Sequence, residues 1–210
     1  MTDDPRPLLY VSWLLPEPVM AAIRERYRLL TEPVTAPPSP AALRQGLHEV
    51  AAAIVTLSER IDAQTLAGAS RLQVLANYAV GYNNIDLAAA GNRGVIVTNT
   101  PDVLTDATAD LTWALMMAAA RRIVEGDALV RGGTWTGWAA TQLLGAEVAG
   151  RTLGIIGMGR IGQAVARRAA GFRMPVRYYN RCSPLDSPPG AQWERASLRD
   201  LLRDSDFVSI

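Results

Sequence analysis

A chain of 210 residues, 49% hydrophobic and 20% charged, has the length for one large or two small globular cores and is too apolar to stay disordered. Its 21 basic residues against 20 acidic ones leave a formal net charge of +1. That balance gives no electrostatic footprint for nucleic acid or an anionic membrane surface, so a small molecule is the expected partner. The single cysteine, Cys182, excludes an internal disulfide and any CxxC metal or redox pair, and a cytoplasmic address is the expectation.

The N-terminal MTDDPRP is polar and acidic, unlike the basic, then apolar, start of a signal peptide. The most apolar run, Leu111 to Ala120, is about half of the ~20 residues needed to span a bilayer. No membrane partner is expected.

In chain order, LLYVSW (8–13) reads as a strand, and PEPVMAAIRERYRLL carries Val19, Ile23 and Tyr27 at helical spacing. TEPVTAPPSP is a proline-punctuated loop around a short extended piece. A helix near 40–47, a strand over 51–57, a short helix near 62–68, a strand over 71–78, a helix over IDLAAAGNRG and a strand over 95–100 follow. This alternation predicts an α/β fold with a parallel sheet covered on both faces. Thr105 and Asp106 then serve as the expected start of a helix of about 20 residues, with Leu111, Ala114, Leu115, Ala118 and Ala119 as its packing face.

A second βαβ unit begins at Arg151. TLGIIGM is its strand, RIGQAVARRAAGF its helix and VRYYN its next strand; SPLDSPPG is a loop, ASLRDLLRD a helix and FVSI the start of a third strand. Between strand and helix, Gly157-Met158-Gly159-Arg160-Ile161-Gly162 fits GxGxxG. Alone the pattern is weak, but its strand–turn–helix context makes it a dinucleotide cradle. Gly157 permits the turn, Gly159 lets backbone approach a pyrophosphate, and Gly162 lets helix and strand close up. Free N–H groups over 159–162 and the helix dipole face the diphosphate. At the tip of the next strand, where an NAD site would place a carboxylate for the ribose hydroxyls, the chain has Asn180 and Arg181. The change removes a repulsion and adds a cation for a 2′-phosphate. The expected cofactor is therefore NADP, with NAD also accepted. Cys182 is expected beside the adenosine ribose.

Four stretches together resemble the D-isomer-specific 2-hydroxyacid dehydrogenases, most closely the glyoxylate/hydroxypyruvate reductase branch. They are NYAVGYNNID (77–86), GVIVTNTPDVLTDATADLTWALMMAAARR (94–122), GTWTGW (133–138) and GRTLGIIGMGRIGQAVARRAAGF (150–172). The resemblance implies a flavodoxin-like substrate lobe over 1–100, a long connecting helix over 101–130, and a Rossmann dinucleotide-binding lobe over 131–210, incomplete at its C-terminus. It also implies reduction of a small 2-keto acid to a 2-hydroxy acid. Backbone N–H groups of Val80 and Gly81 would hold the substrate carboxylate, Leu57 would form a pocket wall and Thr108 would touch the cofactor. A homodimer is expected at full length. Trp135 and Trp138 have three open roles: substrate mouth, dimer contact or loop packing.

The arginine, glutamate and histidine that carry the family's chemistry lie beyond the equivalent of Ile210 in its order, so no catalytic residue is assigned and this stretch alone is expected to be inactive. The sole histidine, His48, precedes a strand of the first lobe and is expected to serve packing or surface. A second function class, a non-catalytic dinucleotide-binding or dimerisation module, fits the same residues.

Overall fold

The structure is a computed structural model and describes residues 4–181 and 193–210. The chain divides into two units, residues 1–103 and 104–210.

The first unit is built on short apolar strands. These are β1 (Leu8–Val11), β2 (Arg28–Leu29), β3 (Ala52–Val55), β4 (Val74–Asn77) and β5 (Ile96–Thr98), all parallel in the order β2-β1-β3-β4-β5. This is the flavodoxin-like order. Helices α1 (Glu17–Arg26), α2 (Pro40–Glu49), α3 (Ala63–Leu66) and α4 (Leu87–Gly91) connect them. Alternate residues of β1 feed two cores: Tyr10 packs with Leu43, Leu47, Val55 and Leu75, and Leu9 and Val11 pack with Met20 and Ile23. Ser39, Asp62 and Asp86 cap α2, α3 and α4 through their side-chain oxygens.

One reading of this region needs correction. Helix α1 ends at Arg26, and Tyr27 is already extended. The ladder with β1 takes over there, because Arg28 N–H donates to Pro7 O and Leu30 N–H to Leu9 O. The buried face of α1 is Met20 and Ile23, while Val19 is exposed.

The second unit holds α5 (Thr105–Ala120), α6 (Ile123–Arg131), β6 (Leu153–Ile156), α7 (Arg160–Ala169), β7 (Val176–Tyr179), β8 (Trp193–Arg195), α8 (Leu198–Asp204) and β9 (Phe207–Ser209). Its parallel strands run in the order β8-β7-β6-β9. The strand order therefore reverses at β6, which is where an open α/β sheet forms its ligand crevice. Trp113 fastens α5 to α7. Its indole N–H donates to Val165 O at 3.1 Å and its ring stacks on Phe172 with centroids 4.7 Å apart. Arg168 of α7 adds ion pairs to Asp110 at 2.7 Å and Asp106 at 3.2 Å.

Helix α5 differs from expectation in three ways. It has 16 residues and stops at Ala120. The carbonyl of Ala120, which a longer helix would use internally, accepts from Ala146 N–H at 2.8 Å, and Arg122 sits in the left-handed region at φ 52°. Its N-cap is Leu104, with no side-chain bond, rather than Thr105 or Asp106. Its packed face is Ala109, Trp113 and Ala120, while Leu111 and Leu115 are 58% and 62% exposed. The region 101–130 is two helices, and residues 104–130 belong to the second unit. The strand β8, absent from the sequence reading, pairs Trp193 with Val176 and Arg195 with Tyr178.

Candidate functional site

Because every strand of the first sheet points the same way, the loops after β3, β4 and β5 emerge on one edge. The loop after β4 is the tight turn Tyr78 to Gly81. Tyr78 N–H donates to Val55 O and Ala79 N–H to Asn77 O. Its outer carbonyls are taken by asparagine amides: Asn99 Nδ2 donates to Val80 O and Asn77 Nδ2 to Gly81 O, both at 2.8 Å. The N–H groups of Val80 and Gly81 find no acceptor among the described residues. A turn whose carbonyls are occupied and whose amides are open has donors to offer an incoming acceptor. Leu57, largely exposed at the end of β3, lies with Cδ2 3.9 Å from where a Gly81 Cβ would sit. Thus Leu57, Val80 and Gly81 come together on one edge.

The loop after β3 is held by Glu59, a carboxyl 3% exposed. Its Oε2 accepts from Thr56 N–H at 2.5 Å and Thr56 Oγ at 3.0 Å. Burial, and then the charge of Glu59, raise the Tyr10 hydroxyl pKa above its ordinary value. Asn84 Nδ2 bridges Thr56 O at 2.9 Å and Glu59 O at 3.1 Å. None of Asn77, Asn84, Asn99 or Glu59 stood out in the sequence reading. The available signal was the run of asparagines around Gly81, since buried amides must find partners.

In the second unit the turn after β6 carries the glycine motif. Gly157 has φ +100°, a conformation that a side chain opposes. A Cβ on Gly162 would overlap the carbonyl oxygen of Gly157, so helix and turn close only because none is there. Gly159 is different: nothing lies within 4 Å of where its Cβ would be. Its missing side chain serves no internal contact and leaves room for an incoming group. Helix α7 starts at Arg160 with no side-chain cap, and the N–H groups of Ile161 and Gly162 have no acceptor among the described residues. Open amides, a positive helix end and free space above Gly159 suit a diphosphate. Met158 is turned inward and buried, its N–H donating to Asn180 Oδ1 at 2.7 Å. Asn180 thus holds the turn from the tip of β7, and Arg181 beside it is exposed. Thr108 is half-buried in the first turns of α5, and its carbonyl accepts from Thr112 Oγ. Cys182 lies outside the described residues. His48 is exposed in the last turn of α2.

Among the described residues no helix is long and apolar enough to cross a membrane. No group of three or more His, Cys, Asp or Glu among them is placed to hold a metal ion.

Residues 113–210 match the family model described as D-isomer specific 2-hydroxyacid dehydrogenase, NAD binding domain. A glyoxylate reductase of Thermococcus kodakarensis is 45% identical over 207 residues, covering 97% of this chain and 62% of its own length. A glyoxylate reductase of Pyrococcus horikoshii is 51% identical over 170 residues, 79% of this chain and 51% of that one. The crystal structure of the TT0316 protein from Thermus thermophilus superposes with a TM-score of 0.84 at 42% identity, covering 96% of this chain and 63% of that one. This chain therefore spans about three fifths of the length of the relatives it matches. With a GxGxxG turn between strand and helix, two parallel sheets and these likenesses, the chain belongs to the D-isomer-specific 2-hydroxyacid dehydrogenase family, in its glyoxylate reductase branch.

Proposed function

We propose that the whole protein reduces glyoxylate, hydroxypyruvate or a similarly small 2-keto acid to the 2-hydroxy acid, using NADPH in preference to NADH. The observation that carries the substrate half is the open pair of amides at Val80 and Gly81, with their carbonyls occupied and Leu57 alongside. A carboxylate accepting both N–H groups is fixed in orientation, and the apolar wall of Leu57 favours a short carbon chain. The dinucleotide supplies the hydride. Gly159, Ile161 and Gly162 would hold its diphosphate, with Gly157 and Met158 shaping the turn and Arg160 and Thr108 flanking it. Asn180 and Arg181 would meet the adenosine ribose, beside Cys182.

The cofactor preference rests on charge. Asn180 places an amide oxygen on Met158 N–H, so the turn is held without a carboxylate facing the ribose. A 2′-phosphate meets no repulsion there, and a contact to Arg181 of about 1.5–3 kcal/mol gives roughly 10- to 150-fold preference.

The sole histidine, His48, lies exposed on a helix of the first unit and is given no part in the reaction. No residue of this chain is assigned the part of the arginine, glutamate or histidine of the family reaction. Two copies are proposed to associate through α5, α6 and the loop after them, which carry the exposed Leu111, Leu115, Ile123, Val124, Trp135 and Trp138. Exposed large apolar side chains on one stretch of chain support that reading.

Steady-state oxidation of NADPH and NADH by the purified whole protein, with glyoxylate and hydroxypyruvate, tests the reading. The expected result is turnover of both acids with kcat/KM at least tenfold higher for NADPH. Absence of turnover with every small 2-keto acid would overturn the activity, and equal rates with both cofactors would overturn the preference.

A further inference from the structure

Glu59 and Asn84 have no part in the chemistry proposed above, yet both serve one structural task. Glu59 is a buried carboxyl whose Oε2 accepts two bonds from Thr56 while its Oε1 has no partner among the described residues. Burying such a group costs free energy. Its effect is to fold the Thr56–Glu59 loop back on itself directly around Leu57. Asn84 then joins that loop to the next one, its single amide nitrogen donating to both Thr56 O and Glu59 O. The joint continues along the backbone, as Ile61 N–H donates to Asn84 O and Asp86 N–H to Ile61 O, both at 2.8 Å. Asn77, 3.4 Å from Asn84, holds Gly81 O from the other side. The loops after β3 and β4 are therefore one zipped body, and the spacing of Leu57 from Gly81 is set by it.

We infer that Glu59 and Asn84 are positioning residues for the substrate carboxylate, acting through Thr56 to hold the wall at Leu57 in register with the amides of Val80 and Gly81. The inference rests on the proposed 2-keto acid reductase activity. Without Glu59 the Thr56 N–H and hydroxyl lose their acceptor and the loop carrying Leu57 reopens. With Asn84 replaced by an acid, a carboxylate faces two carbonyls and the zip between the loops is broken. Both changes act on loops of the first unit and leave the dinucleotide turn of the second unit as it is.

Steady-state kinetics of the whole protein with Glu59→Ala, Asn84→Asp and Glu59→Gln, together with inhibition by oxamate as a carboxylate probe, tests this. Expected for Glu59→Ala and Asn84→Asp is a rise of at least tenfold in KM for the 2-keto acid and in the oxamate inhibition constant, with kcat and KM for NADPH within about twofold. Glu59→Gln keeps an acceptor oxygen for Thr56, and its KM should stay within about threefold of wild type. If Glu59→Ala does not fold, Asn84→Asp carries the comparison. An active wild type whose Asn84→Asp variant keeps its 2-keto acid KM overturns the inference alone. So does parallel damage to kcat and NADPH KM, or a Gln variant as impaired as the Ala variant. A wild type that reduces no 2-keto acid overturns the activity itself, and the inference with it.

Discussion

Met158 and Asn180 are 22 positions apart in sequence and are joined by one hydrogen bond, N–H to Oδ1 at 2.7 Å, that ties the glycine turn to the strand tip beyond it. The residue at 180 therefore has two tasks, holding the turn and setting the charge that a bound ribose meets. An aspartate would keep the first and reverse the second. Asn180→Asp should retain cofactor binding while lowering the NADPH-to-NADH ratio of kcat/KM by about 10-fold or more, and Arg181→Ala should lower it in the same direction. Kinetics with both cofactors decide the matter, and an unchanged ratio in both variants would remove the charge argument.

The glycines of the same turn should separate folding from binding. Gly162→Ala forces a methyl onto the carbonyl of Gly157, and overpacking of this kind costs about 1–3 kcal/mol, visible in urea titration. Gly159→Ala meets nothing in the folded chain, so its stability should change by no more than about 0.5 kcal/mol. Its dinucleotide affinity, followed by nucleotide fluorescence, should fall at least tenfold.

Trp113 is a buried link between α5 and α7. Trp113→Phe preserves an aromatic ring against Phe172 but leaves Val165 O without its indole donor, which should destabilise by about 1–3 kcal/mol. Trp113→Ala adds a cavity and should cost about 3–5 kcal/mol. Chemical denaturation of the second unit is the measurement.

Asp62 caps α3, and its pKa is lowered first by the Thr65 N–H, then by the Thr65 hydroxyl. A carboxyl with a depressed folded pKa stabilises above its unfolded pKa, and that contribution disappears as pH falls through the folded value. Asp62→Asn should therefore differ from wild type more at neutral pH than in acid below the ordinary carboxylate range, as read by thermal melts across that span. A difference that grows toward acid would show the sign to be wrong.

Short continuous apolar runs and the glycine spacing between strand and helix were legible in the sequence. The runs LLYV and LGII became β1 and β6, and the glycine pattern marked the β6–α7 turn. What failed was decided by partners distant in sequence. Tyr27 continued a helical spacing, yet β1 drew Arg28 and Leu29 into a ladder. Leu111 and Leu115 looked like a core face, but Trp113, whose indole needs an acceptor, chose the opposite side of α5 by finding Val165. The site followed the same division. Gly157 and Gly162 declared themselves by spacing, whereas the roles of Glu59, Asn84 and Asn99 depend on loops from three strands converging.

Zipping the loops after β3 and β4 into one body also fixes how they move. Ile61 N–H closes on Asn84 O while Asp86 N–H closes on Ile61 O, so neither loop can lift without releasing the other. Their amide protons belong to a single opening event. In native-state hydrogen exchange Ile61 and Asp86 should share one protection free energy, and the turn at Val80 and Gly81 is kept in its shape by a cooperative unit larger than itself.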